Sequence, residues 1–183
     1  MNMLSPTKAF GLRAAIFGAT ALCIYALMIG ITLRHIEIVG GSAPLDLRPS
    51  GFSMGDVELL FTALSAEGRT YYLTRQLPLD VLYPGLLAMT LASLFQFFGT
   101  RGVQLGLVKI GVYLSVAVAL TDYAENIGIA TMLMTWPELN GTLAFVTSMA
   151  AIAKASVTTL AMVLLLFVIA NWLVVRRRHQ QAT

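Results

Sequence analysis

Four apolar runs, each long enough to cross a bilayer, leave this chain few folds to choose from. They fall at about Phe10 to Leu33, within 69–98, at 103–135 and at 141–175. A helical span needs roughly 20 mostly apolar residues, because hydrocarbon gives exposed backbone groups no partners. The composition agrees, with 11% charged residues against about 25% in soluble domains. The reading is an all-α, single integral membrane domain over residues 1–183. It is a four-transmembrane-helix bundle with a short amphipathic helix in the outer loop between helices 1 and 2.

Several function classes drop out. The net charge of +3 is no nucleic-acid signal, since the positive charge sits at helix ends, where it orients the chain. Cys23 is the only cysteine, which excludes an internal disulfide or a dithiol redox centre. His35 and His179 are the only imidazoles and flank the first and last spans, so no bis-His haem is expected within the bundle. No helix offers the His–carboxylate pair of a zinc or di-iron site, and neither metal nor cofactor is expected. The first apolar run exceeds a signal-peptide core, and Pro44 spoils the one small-residue cleavage context, so it reads as a retained span.

The outer loop, 34–68, is marked as irregular by Gly40-Gly41, Pro44, Pro49 and Gly51. A helix at about 53–66 follows. Ser53 and Asp56 have capping-box spacing, and Met54, Val57, Leu60, Phe61 and Leu64 share one face. Pro78 and Pro84 lie inside the second span and should loosen backbone carbonyls near Asp80. Lys8, Arg13, Arg101 and Arg176-Arg177-Arg178 fall on one side. The positive-inside rule then gives a multi-pass protein with both termini cytoplasmic and the loop outside. Trp136, Trp172, Tyr71 and Tyr72 are the expected interface anchors.

The polar residues within the spans carry the functional reading. Asp122, Glu125 and Asn126 stand at i, i+3 and i+4 and share one helix face. A central Asp or Lys costs roughly 2.5–3.5 kcal/mol to insert, so such a face must be satisfied internally or used. Counted from the turn at Glu138, Asp122 lies sixteen residues back and Lys154 sixteen residues forward, at the same height. Asp80 arrives at that height from the second span, and Arg34 and His35 near it from the first. The layer lies about 30 Å from the basic end at 1.5 Å per residue, in the outer half of the bilayer or at its outer boundary, with the loop as its cover.

Thr147, Ala151, Ala155 and Thr159 form a small-residue stripe next to Lys154, and Gly102 with Gly106 makes a GxxxG; both predict close helix contacts. Acids outnumber the internal base, so at least one carboxyl is expected to hold a proton. Asp122 and Glu125 are the expected proton-handling pair, with Asp80 opposite as a third catalytic candidate. Asn126, Lys154, Tyr83 and Tyr123 are the expected ligand contacts. The expected partner is a membrane lipid or lipophilic small molecule such as an isoprenoid, sterol-like or quinone-like compound, bound with or without acid–base catalysis. The alternative is a non-enzymatic subunit, homo-oligomeric or in a membrane complex, whose charges only lock the helices together.

The order Gly51-Phe52-Ser53, Glu67-Gly68-Arg69 with Tyr71 and Tyr72, Leu79-Asp80 near Tyr83-Pro84, and Asp122-x-x-Glu125-Asn126 resembles a recurring pattern. It is similar to that of small bacterial four-helix integral membrane proteins of unassigned function, a likeness that implies a bacterial inner (cytoplasmic) membrane. In architecture, four spans with acids around an outer pocket are similar to the EXPERA group of sterol isomerases and lipophilic-ligand receptors. That likeness implies a lipophile-binding bundle and assigns no residue a role.

Overall fold

A computed structural model describes residues 5–181. The chain is 87% helix, and no strand occurs among the described residues. Five helices follow in order: α1 (Pro6–Gly40), α2 (Met54–Ala63), α3 (Ser65–Gly99), α4 (Leu105–Thr135) and α5 (Gly141–Gln181). All but α2 are long and apolar enough to cross a membrane. α1 packs on α3, α3 on α4 and α4 on α5, and α5 also reaches α3. Among the described residues α1 and α5 do not form a packed pair, which leaves a seam between them. Thr7 Oγ1 donates to Thr100 Oγ1 at 2.9 Å, placing the start of α1 beside the α3–α4 turn. Phe98 meets Trp172 at the same end, with ring centroids 5.6 Å apart.

The helix bounds differ from the sequence expectation at the opposite end. α1 continues past Leu33 to Gly40 because its last turns are amphipathic. Leu33, Ile36 and Gly40 are buried, whereas Arg34, His35 and Glu37 stay exposed. Gly41, at φ +66°, ends it in the left-handed region that favours glycine. The irregular segment therefore shrinks to residues 41–53. α2 stops at Ala63, and Ser65, at φ +56°, turns the chain directly into α3, ahead of the expected start at 69.

The amphipathic helix covers the bundle as expected. Its Val57, Leu60 and Phe61, with Leu64 just beyond, are buried against Ile129, Met132 and Leu133 of α4 and Ala144 and Ala151 of α5. Gly51 crosses α5 where a Cβ would meet Ser148 and Ile152 at 3.0 Å or less, and the Phe52 N–H donates to Ser148 Oγ at 2.8 Å. The capping box forms: Ser53 Oγ accepts from the Asp56 N–H, and the Asp56 carboxylate accepts from the Ser53 N–H. A second apolar cluster, including Leu91, Phe95, Val118 and Leu165, fills the other half of the bundle. The polar layer lies between the two.

Close helix contacts are made by other glycines than the GxxxG pair. Gly102, at φ +89°, belongs to the α3–α4 turn, and a Cβ on Gly106 would meet nothing within 4 Å. Gly128 instead lies against Thr147, and Gly111 against Phe95, so α4 uses separate glycines for α5 and α3. On the small-residue stripe, Thr147 and Ala151 are buried in the lid half.

α1 and α3 each contain one π-helical turn, Met28–Thr32 and Tyr72–Gln76. The two turns meet where Thr32 Oγ1 donates to Gln76 Oε1. The wide turn in α3 directly precedes Pro78, whose ring an α-helical turn would crowd.

Candidate functional site

The site begins with a missing hydrogen bond. Pro84 has no N–H, so the Asp80 carbonyl one turn earlier loses its helical donor. Asn126 supplies a replacement from α4, its Nδ2 donating to the Asp80 carbonyl at 2.9 Å and lying 3.4 Å from Asp122 Oδ1. This contact fixes α3 against α4 at the level of the acids. Asp80, Asp122, Glu125 and Asn126 are all buried, with at most 4% of their surface exposed.

Lys154 of α5 reaches the same level. Its Nζ forms a salt bridge with Glu125 Oε2, lies 3.9 Å from Asp122 Oδ1, and donates to the Asp46 carbonyl at 3.4 Å. The nearest acid is thus Glu125, not the Asp122 matched to Lys154 by counting from the turn. The lysine head thus neighbours two carboxylates and one carbonyl, the carbonyl taking its hydrogen bond.

Asp46 was not anticipated. It sits in the short 3-10 turn Leu45–Leu47 of the connecting segment, which buried Leu45 pins under the lid. The Tyr72 hydroxyl, fully buried on α3, donates to Asp46 Oδ2. Tyr72 is therefore an internal strut, not an interface anchor. Four carboxyls, from Asp46, Asp80, Asp122 and Glu125, surround one ammonium. Fully ionised, the group would carry −3, four negative charges less one positive. Arg34, His35 and Arg75 do not relieve it. All three are exposed, and His35 packs on Tyr71 with ring centroids 4.2 Å apart. Charge of that size in hydrocarbon has to be made up by protons or by a cationic guest.

A cavity of about 330 Å³ opens onto this group. Asp46, Asp80, Asp122 and Lys154 form its polar end, while Tyr25, Met28 and Leu33 of α1, Leu87 of α3 and Thr158 of α5 supply much of the rest. Lining residues from α1 and α5 face each other across the seam between those helices. Tyr83 lines the cavity and stacks on Tyr25 with centroids 5.4 Å apart.

The other expected site residues lie elsewhere. Glu125 is fully buried behind Lys154 and does not line the cavity. Asn126 and Tyr123 line a separate apolar groove between α3 and α4, with Leu77, Val81, Ile127 and Ala130. Tyr123 is one residue from Asp122, about 100° around the helix, so it cannot share that face. A Cβ on Gly85 would approach its hydroxyl to 2.7 Å, which places Tyr123 over α3 and not in the cavity. Among the described residues, no three His, Cys, Asp or Glu side chains are grouped to hold a metal ion.

Polar atoms without a hydrogen-bond partner concentrate at this level: Asp46 Oδ1, Asp80 Oδ2, Glu125 Oε1, Gln76 Nε2 and Asn126 Oδ1. Buried polar groups are rarely left so, and several together mark a place where something is bound or exchanged. No family model matches the chain, and neither a curated protein nor a solved structure matches it.

Proposed function

We propose that the chain is a membrane receptor or enzyme for a lipophilic small molecule, which enters through the α1–α5 seam and lodges its polar end against Asp80 and Asp122. One observation carries this reading: a cavity that joins an apolar helix seam to a cluster of unpartnered carboxyl oxygens. Its volume, about 330 Å³, is near the lower end of small-molecule sites, at roughly 300–1,000 Å³. Lys154, held by Glu125, sets the charge of the polar end, and the lid excludes water from it. Any acid–base step would use Asp80 or Asp122, the spanning-helix carboxyls that reach the cavity. The protein lies in a bacterial inner membrane with both termini in the cytoplasm and the lid outside. Support comes from Arg13 over Phe10 on α1, and from Arg101 and Arg176, both over Trp172, where α3 and α5 end.

Native mass spectrometry in a gentle detergent tests the reading. Wild type should carry a small-molecule adduct that Thr158→Trp, which fills the cavity, loses. Equal spectra for the two proteins would remove the ligand site. The salt bridge between Lys154 and Glu125, facing away from the cavity, favours a second reading in which the charges only set helix register. That reading expects no adduct in either protein.

A further inference from the structure

We infer that the occupant of this cavity is a lipophilic amine, bound as its monocation through Asp80 and Asp46. The inference rests on the proposed lipophile site and specifies its chemistry. The cavity's polar end presents acceptors. Asp80 is 3% exposed, its Oδ2 has no partner, and it lines the cavity. Asp46 Oδ1 likewise accepts no N–H or O–H of the protein, in the same wall beside the Asp80 carboxyl. Lys154, the cation among the described lining residues, forms a salt bridge with Glu125, lies 3.9 Å from Asp122 and donates to the Asp46 carbonyl. Its charge is already matched by acids of the protein, with none over for an anionic guest.

A fatty-acid carboxylate or phosphate head would therefore meet carboxyl oxygens. A ketone or quinone oxygen could accept from the Tyr83 or Thr158 hydroxyl in the cavity wall but would bring no positive charge. A hydroxyl could satisfy one acceptor but would leave the charge as it was. A primary ammonium supplies three donors and one positive charge, and so meets the acceptors and offsets part of the charge with one group, protons on the carboxyls offsetting the rest. The cavity wall on α5 runs from Lys154 to Thr159, about 8 Å along the axis. The enclosed part of the guest is thus a head and a few carbons, with the remaining chain passing between α1 and α5 into the acyl region. No covalent step is involved; the ammonium enters as one proton leaves the carboxyls it pairs with, so the charge of the site is unchanged.

The test is binding of radiolabelled dodecylamine to the full chain in lipid nanodiscs, with dodecanol and dodecanoate as competitors. Ala155→Phe, which closes the cavity, reports partition into lipid alone. Dodecylamine should bind at least about tenfold more tightly than dodecanol, the usual worth of a charge-assisted hydrogen bond. Dodecanoate should not compete. Asp80→Asn should lower amine affinity by about tenfold or more while changing dodecanol affinity less than about twofold. If Asp80→Asn does not fold, Asp46→Asn takes its place with the same expectation. Equal binding of amine and alcohol, both abolished by Ala155→Phe, would overturn the amine and leave the lipophile site standing. Tighter binding of dodecanoate would do the same. Uptake identical in wild type and Ala155→Phe for every probe would overturn both.

Discussion

Asn126 donates its side-chain amide to the Asp80 carbonyl at 2.9 Å, and that carbonyl is free because Pro84 has no N–H to give it. A helix defect on α3 and an amide on α4 thus complete each other at the level of the buried acids. Removing Asn126 should leave a buried carbonyl unsatisfied, at a cost of about 1–3 kcal/mol. Pro84→Ala restores the helical donor, so Asn126→Leu should cost about 1 kcal/mol less in that background. Unfolding of the four proteins in bicelles gives the coupling energy. Additive effects would mean that Asn126 acts through Asp122 instead, the second acceptor it faces at 3.4 Å.

Much of this layer could be read from residue spacing. Equal counts from a turn brought Asp122 and Lys154 to one height, and the i, i+3, i+4 pattern put Asp122, Glu125 and Asn126 on one buried face. Depth is a one-dimensional quantity, and sequence carries it well. Rotation about the helix axis is harder, because a few tens of degrees decide which of two acids meets the lysine. That is why Glu125 and not Asp122 is its nearest partner. Tyr123 is a different case: its 100° offset from Asp122 was legible and points it at the α3–α4 groove. Asp46 left no such signal. It lies in a non-repeating segment whose path is set by Leu45 burial and the Tyr72 hydroxyl, both long-range. The GxxxG failed for a related reason, since a two-glycine spacing does not say that one member belongs to a turn.

The lid should loosen in acid. Asp56 lies outside the spans, and its carboxyl is held below the usual carboxylate range by the Ser53 hydroxyl first, then by the Ser53 N–H, with Arg48 adding its charge at 3.0 Å. A carboxyl with a lowered folded value contributes stability above its unfolded value, about pH 3.9, and loses it as the pH falls through the folded one. Hydrogen exchange over Val57–Leu64 should therefore quicken below about pH 4 in wild type. Ser53→Ala should cost α2 about 1 kcal/mol. Asp56→Asn should exchange faster at neutral pH and show a much weaker acid transition. An acid transition of unchanged size in Asp56→Asn would assign it to another group.

Gly128 fixes how closely α4 and α5 approach. A Cβ there would overlap the Thr147 side chain, and both residues are buried in the lid half of the bundle. Gly128→Ala should destabilise the bundle by about 1–3 kcal/mol, the usual range for overpacking. Thr147→Ala removes the γ atoms involved and should return part of that loss. Gly106→Ala, where a Cβ would meet nothing, is the matched control and should be neutral or slightly stabilising. Thermal unfolding in detergent separates the two glycines. Equal effects at both would point to the backbone freedom of glycine and not to helix approach.

The contact between Lys154 and Glu125 separates holding the fold from serving the cavity. Glu125 is 0% exposed and has Lys154 as its charge partner. Lys154→Met therefore strands a buried carboxyl, a change that costs about 3–5 kcal/mol when one partner of a buried pair is removed. Adding Glu125→Gln removes the stranded charge, and the Lys154→Met/Glu125→Gln protein should regain most of that stability, whichever functional reading holds. What differs is the ligand adduct. Losing Lys154 also frees the Asp46 carbonyl and withdraws positive charge from Asp122, both at the cavity wall. A refolded double variant that still carries the small molecule in native mass spectra would confine the pair to helix register. One that refolds but has lost the molecule would assign Lys154 to the polar end of the site, with its influence passing through Asp46 and Asp122.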